Sequence, residues 1–220
     1  MFPKRIPPQF IIFGILLVIL IIIIQIQVFS LVLSRLGLSP TSASLLLVVT
    51  LLGSAINLPL FKIASSFHYD EQNPLHHSIF PYRFTEGQTI IAVNVGGALI
   101  PLLFSSYLIY TSEINFIIIL LAISVVSTIS YLFSRPIANL GIGMPLFIAP
   151  VSAAFTAMIL AKDNAPALAY ICGSVGVVIG ADLLRIKDIR QLNAPIASIG
   201  GAGTFDGIFM TGIIAVLLTY

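Results

Sequence analysis

Apolar runs of about 20 residues, enough for one helix to cross the hydrocarbon of a bilayer, alternate along the chain with short polar connections. On that basis the pattern predicts helices over 10–33, 42–65, 88–110, 114–133, 142–162, 165–184 and 202–220. The division between the fifth and sixth rests on the short turn Lys162-Asp163-Asn164. The expected fold is an all-α polytopic membrane helix bundle of about seven transmembrane helices, forming a single transmembrane domain over 1–220. The first run follows Lys4 and Arg5 and extends from Phe10 to about Leu33. A signal-peptide core is shorter, about 7–15 residues, and ends at a small-residue cleavage site. This run is therefore expected to be a retained span.

Composition agrees with that pattern. The chain is 58% hydrophobic and 8% charged, against roughly 25% charged in a soluble domain. So few charges cannot cover a water-exposed surface. A net charge of +2 without a basic stripe argues against nucleic acid as a partner. The single cysteine, Cys172, lies in an apolar run, which excludes an intrachain disulfide and suits a small packing residue.

Charge also orients the helices. With the N-terminus cytoplasmic, the cytoplasmic segments hold Lys4, Arg5, Lys62, Arg83, Arg135, Arg185, Lys187 and Arg190, and the other side only Arg35 and Lys162. Basic residues favour the cytoplasmic side, so the expectation is a multi-pass protein of the cell (plasma) membrane. Its N-terminus is inside, and the lipid bilayer is its first partner.

Polarity within the runs is uneven. The first and fourth are almost wholly Leu, Ile, Val and Phe. The second carries Gly53-Ser54-Ala55-Ile56-Asn57-Leu58-Pro59, and the third Asn94-Val95-Gly96-Gly97-Ala98-Leu99-Ile100-Pro101. The fifth opens with Gly141-Ile142-Gly143-Met144-Pro145. Small residues let helices approach closely and Asn bonds across an interface, so tight packing with kinks is one reading. Unwound, cavity-lining segments are the other, with Asn57, Asn94, Gly96 and Gly97 on the wall.

Six of the acidic residues fall in predicted loops, whereas Asp182 lies late in the sixth helix and Asp206 early in the seventh. A carboxylate deep in a bilayer costs about 2.5–3.5 kcal/mol and usually faces the bundle interior. The topology puts both on the cytoplasmic side of consecutive helices, where they can face one another. As interfacial caps, or partners of Arg185 or Lys187, they would need no further role. Gly200, Gly201, Gly203 and Gly207 surround the second aspartate, and glycine disfavours a regular helix start. These four are expected to line the site. A phosphate loop is a poor alternative, because the Lys-Ser/Thr of a P-loop is lacking.

At these residues the chain resembles known families. Asn94 to Pro101, Ile179-Gly180-Ala181-Asp182-Leu183-Leu184 and Ser198-Ile199-Gly200-Gly201-Ala202-Gly203-Thr204-Phe205-Asp206-Gly207 are similar to an uncharacterised prokaryotic family of multi-spanning membrane proteins, a domain of unknown function. The last two helices also look like the core of the presenilin and signal-peptide-peptidase type of intramembrane aspartyl protease. There, a Tyr-Asp late in one helix faces a Gly-x-Gly-Asp early in the next. Asp182 and Asp206 match the two aspartates. Ala181 departs from the tyrosine, Thr204 and Phe205 separate Gly203 from Asp206, and Pro166-Ala167-Leu168 precedes both aspartates rather than following them.

The resemblance implies peptide hydrolysis, with Asp182 and Asp206 as catalytic residues and a transmembrane protein as substrate. Two carboxylates within about 3–5 Å cannot both ionise and share a proton. Asp206 would then activate water while Asp182 polarises the scissile carbonyl. A proton- or ion-coupled carrier of a small solute is the alternative, since intramembrane carboxylates also serve as ion sites. A non-catalytic scaffold is the third. No cofactor is expected. His68, His76 and His77, with Asp70, Glu71 and Glu86, have metal-ligating side chains but form no closed ligand set, and a solvated loop is the expectation there.

Overall fold

The computed structural model describes residues 8–66, 86–137, 141–191, 194–201 and 207–219. The chain divides into two compact units, 1–47 and 48–220.

In the first unit, helix α1 (Pro8–Arg35) is 28 residues long, about 42 Å at 1.5 Å per residue. It ends because Gly37 takes φ +84°. That conformation lets Leu38 N–H reach the Leu33 carbonyl at 3.2 Å and Gly37 N–H reach Ser34 at 3.1 Å, a Schellman arrangement that satisfies the last carbonyls. Helix α2 (Pro40–Gly53) then starts on Ser39, whose hydroxyl accepts from Ser42 N–H at 3.2 Å, with Pro40 in the first turn.

The second unit combines helices with a three-stranded sheet and a two-stranded hairpin. Beyond α2, strand β1 (Asn57–Ala64) pairs antiparallel with β2 (Gln88–Asn94). A π turn (Val95–Leu99) leads from β2 into α3 (Ile100–Thr111), followed by α4 (Phe116–Phe133). A small hairpin, β3 (Arg135–Ile137) and β4 (Gly141–Gly143), precedes α5 (Ile148–Leu160). Helix α6 (Ala165–Val177) continues into a second π turn (Val178–Leu183). Strand β5 (Ile196–Ile199) comes next, then α7 (Gly207–Leu218). The sheet order is β1-β2-β5, with β5 parallel to β2, Ile90 opposite Ile196 and Val93 opposite Ile199.

The chain is thus mostly helical, with seven α-helices among the described residues, and the all-α expectation is corrected by five strands. The expected helix over 42–65 stops at Gly53 and becomes β1. The helix over 88–110 starts as β2, and that over 142–162 opens with the end of β4. Pro59 has no N–H to give a ladder and sits where the β1 register shifts, between Pro59 and Phe61. In β2, Ile90, Ile91 and Ala92 are all buried. A strand covered on both faces reads as a continuous apolar run, indistinguishable by periodicity from a helix. The first, fourth and sixth runs remain whole. Among the described residues, Phe13–Arg35, Phe116–Phe133 and Lys162–Leu183 are the three helical segments long and apolar enough to cross a bilayer.

Helix α6 is the centre of this unit, packed by α3, α4, α5 and α7. Its glycines permit that. A Cβ on Gly176 would lie 2.9 Å from the side chain of Val126, and one on Gly180 would overlap the Ser127 carbonyl of α4. The outer surface is apolar. In α5, Ala149, Ala153, Ala154 and Ala157 are buried, while the larger Val151, Phe155 and Ile159 point outward at four-residue spacing. Helix α4 does the same with Ile117, Leu121 and Leu132. Several hydroxyls on the helices turn back on their own turn, as Ser106 to Leu102 and Ser124 to Leu120. No outside partner is then needed for them.

Candidate functional site

Where β1, β2 and α2 meet, the polar side chains are tied to one another. Asn57 and Asn94 stand opposite each other in the β1–β2 ladder. Buried Asn94 donates through Nδ2 to the Ser54 carbonyl at 2.8 Å and to Asn57 Oδ1 at 3.0 Å. Its own Oδ1 accepts from Gly97 N–H at 2.7 Å and so caps the π turn. One side chain thereby closes the end of α2, links two strands and starts the helical segment leading into α3. Asn57 Oδ1 also accepts from the Ser198 hydroxyl at 2.5 Å, which brings in β5.

The glycines are there because backbones converge. A Cβ on Gly96 would overlap the Thr50 carbonyl oxygen and the Ser54 nitrogen. Gly200 has φ +73°, and a Cβ on it would lie 2.6 Å from that of Ala98. Only glycine meets both demands at that turn.

Two cavities adjoin this junction. The smaller, about 100 Å³, is lined by Asn57, Asn94, Gly96, Gly97, Gly200 and Gly201, together with Thr50, Leu51, Ser54 and Phe209. The larger, about 520 Å³, shares Asn57, Gly200 and Gly201 and extends past Asp182 and Gly207. Its other walls are Gly141 to Leu146, Pro195 to Ile199 of the β5 segment, Val177 and Ile208. Asp182 is half-buried in the second π turn, at the larger cavity. Asp206 and Gly203 lie outside the described residues, as do His68, His76, His77, Asp70 and Glu71. Gly207, next after Asp206 in sequence, opens α7 and touches the larger cavity. Among the described residues no group of three His, Cys, Asp or Glu side chains gathers to hold a metal.

Arg185, one turn beyond Asp182, is held elsewhere. It donates to Asp188 Oδ2 at 2.9 Å, to the carbonyls of Tyr131 and Ser134 at 2.8 and 2.9 Å, and to Ser134 Oγ at 3.3 Å. Its guanidinium lies 4.3 Å from the Tyr131 ring centroid. It therefore caps the C-terminal end of α4 and ties the turn after Asp182 to it.

Sequence reasoning missed Thr50, Ser54 and Ser198 as site residues. Each is a hydroxyl within four residues of a glycine or asparagine that was noted, inside an otherwise apolar stretch. That was the available signal.

The fold and site together define a helical chain whose helices give way to strands around a polar junction and a carboxylate-bearing cavity. The chain belongs to a family of proteins of unknown function, DUF1614, which matches residues 51–218. The match falls within the second compact unit and takes in every residue of the junction except Thr50. No curated protein and no solved structure matches the chain.

Proposed function

We propose that the protein is a multi-spanning membrane hydrolase, an intramembrane aspartyl protease that uses Asp182 and Asp206 as a pair, with its N-terminus on the cytoplasmic side. The membrane part is supported by the inverted helices: alanines face inward and Phe155, Ile159 and Ile117 face outward, an arrangement favourable only where the surroundings are as apolar as the side chains. The observation that carries the catalytic part is the larger cavity. Asp182 and Gly207, the neighbour of Asp206, border the same space. Among the described residues β5 is an edge strand on that wall, so an extended substrate segment could add to it through main-chain hydrogen bonds. The likeness of Asp182 and Asp206 to the presenilin-type aspartate pair points the same way.

Asp182→Asn and Asp206→Asn should each abolish cleavage of a single-span reporter in proteoliposomes while the protein remains folded. Full activity in either variant would overturn the proposal. A second reading, an ion-coupled solute carrier, is favoured by the replacement of helix by strand at Asn57 and Asn94. Flux that requires Asp182, without proteolysis, would select it.

A further inference from the structure

The smaller cavity differs in chemistry from its neighbour. It presents the hydroxyls of Thr50 and Ser54, the amides of Asn57 and Asn94, and backbone from two glycine pairs, with no ionisable side chain among its lining residues. Of its lining, Thr50 is buried while Leu51 and Ser54 are exposed, which puts the protein's surface at the Ser54 end. Asn57, Gly200 and Gly201 form the wall it has in common with the Asp182 cavity.

Much of this lining is already bonded within the protein, Asn94 to Ser54 and Asn57 and the Ser54 hydroxyl to the Leu51 carbonyl, and a hydroxyl or carbonyl oxygen that makes one bond has a lone pair left for a further donor. Water can use those positions. At about 30 Å³ each, about three molecules fill the space, and each needs two to four polar partners, which hydroxyls, amides and backbone supply.

We infer that the smaller cavity is an aqueous vestibule, opening at Ser54 and passing water to the Asp182 cavity beside Asn57. Its use rests on the hydrolase reading. Each cleavage consumes one water: the hydroxyl bonds to the carbonyl carbon, the C–N bond breaks, and the remaining hydrogen ends on the leaving nitrogen. A substrate segment filling the larger, mainly apolar cavity would exclude water from that side. A separate polar inlet removes the conflict.

Cysteine labelling in lipid nanodiscs tests the vestibule without reference to activity. The native Cys172 is fully buried, so the unsubstituted protein is the control. Ser54→Cys and Thr50→Cys should react with a charged, membrane-impermeant methanethiosulfonate. The rates should fall within about tenfold and a hundredfold, respectively, of Glu113→Cys in the exposed loop before α4, because only a hydrated thiol ionises to the reactive thiolate. Reaction of Ser54→Cys with lipid-soluble N-ethylmaleimide alone would show that the mouth faces acyl chains, and no reaction of either variant would show a sealed cavity. Each result overturns the inference. Ser54→Leu, which plugs the exposed mouth, should lower the turnover of a reporter substrate at least about fivefold with KM unchanged. Unchanged turnover would overturn the supply of water. If Asp182→Asn retains full proteolysis the hydrolase reading fails instead, and the labelling result stands apart from it.

Discussion

Asn94 donates its side-chain amide to Asn57 Oδ1 at 3.0 Å across the first and last positions of the β1–β2 ladder. The same oxygen accepts from Ser198, 141 residues away in sequence. Three strands and the ends of two helical segments therefore depend on one pair of carboxamides, Asn94 buried and Asn57 half-buried.

Replacing Asn94 by alanine leaves the Ser54 carbonyl and the Gly97 N–H without their partner. The expected loss is about 2–3 kcal/mol, read as a lower unfolding midpoint in mixed micelles. Asn94→Asp keeps the acceptor for Gly97 but turns a second oxygen on the Ser54 carbonyl and Asn57 Oδ1, both acceptors, in a buried site, and should cost at least as much as alanine.

Two glycine substitutions should separate from a third. Gly96→Ala must move the Thr50 carbonyl, and Gly200→Ala meets Ala98 at a positive φ, so each should cost about 1–3 kcal/mol. Gly14→Ala lies inside α1 with nothing within 4 Å, and should be neutral or stabilising by about 0.5–1 kcal/mol. Thermal unfolding of the three variants checks the order.

Arg185→Met removes the cap on α4 and should destabilise by about 1–3 kcal/mol, with Arg185→Lys recovering part of it. Asp188→Asn should cost less than about 1 kcal/mol, since the Asp188 side chain is 39% exposed and such pairs contribute little. Equal effects in Met and Lys variants would contradict the bidentate geometry at Tyr131 and Ser134.

Asp182→Asn should leave the protein folded, because asparagine keeps the shape and one acceptor oxygen of this half-buried side chain, whose role is proposed to be chemical. Loss of proteolysis alongside an undiminished melting temperature is the expected pair of results.

Cys172 offers a reporter for all of these. Its thiol is buried, with the carbonyls of Ala153 and Ala169 at 3.8 and 3.7 Å. It should be inert to a thiol reagent in the folded protein and react at a rate set by unfolding. Rapid labelling of the native state would show that α6 opens locally.

Much of the helical layout was legible from run length, because α1, α4 and the Lys162–Leu183 segment are uninterrupted apolar stretches. The breaks were legible too, since Gly53-Ser54, Asn57, Asn94 and Gly96-Gly97 are out of place in a simple span. That the chain turns into strand there was not. Leu58-Pro59-Leu60-Phe61 and Ile90-Ile91-Ala92-Val93 show no alternation, and their pairing depends on β5, more than 100 residues later. The cavity glycines could be named from composition alone. Ser198 gained its place only through register, because Val93 opposite Ile199 sets it beside Asn57.

The parallel pairing of β2 with β5 also fixes an order of assembly. Residues 88–94 leave the ribosome long before 196–199, with α3 to α6 in between. At roughly 5–20 residues per second, several seconds separate the two. Throughout that interval β2 has one partner and one bare edge, and neither cavity has its shared wall. The junction is therefore completed only once the β5 segment has been made, and a chain stalled before Pro195 would offer an unpaired apolar strand to whatever lies beside it.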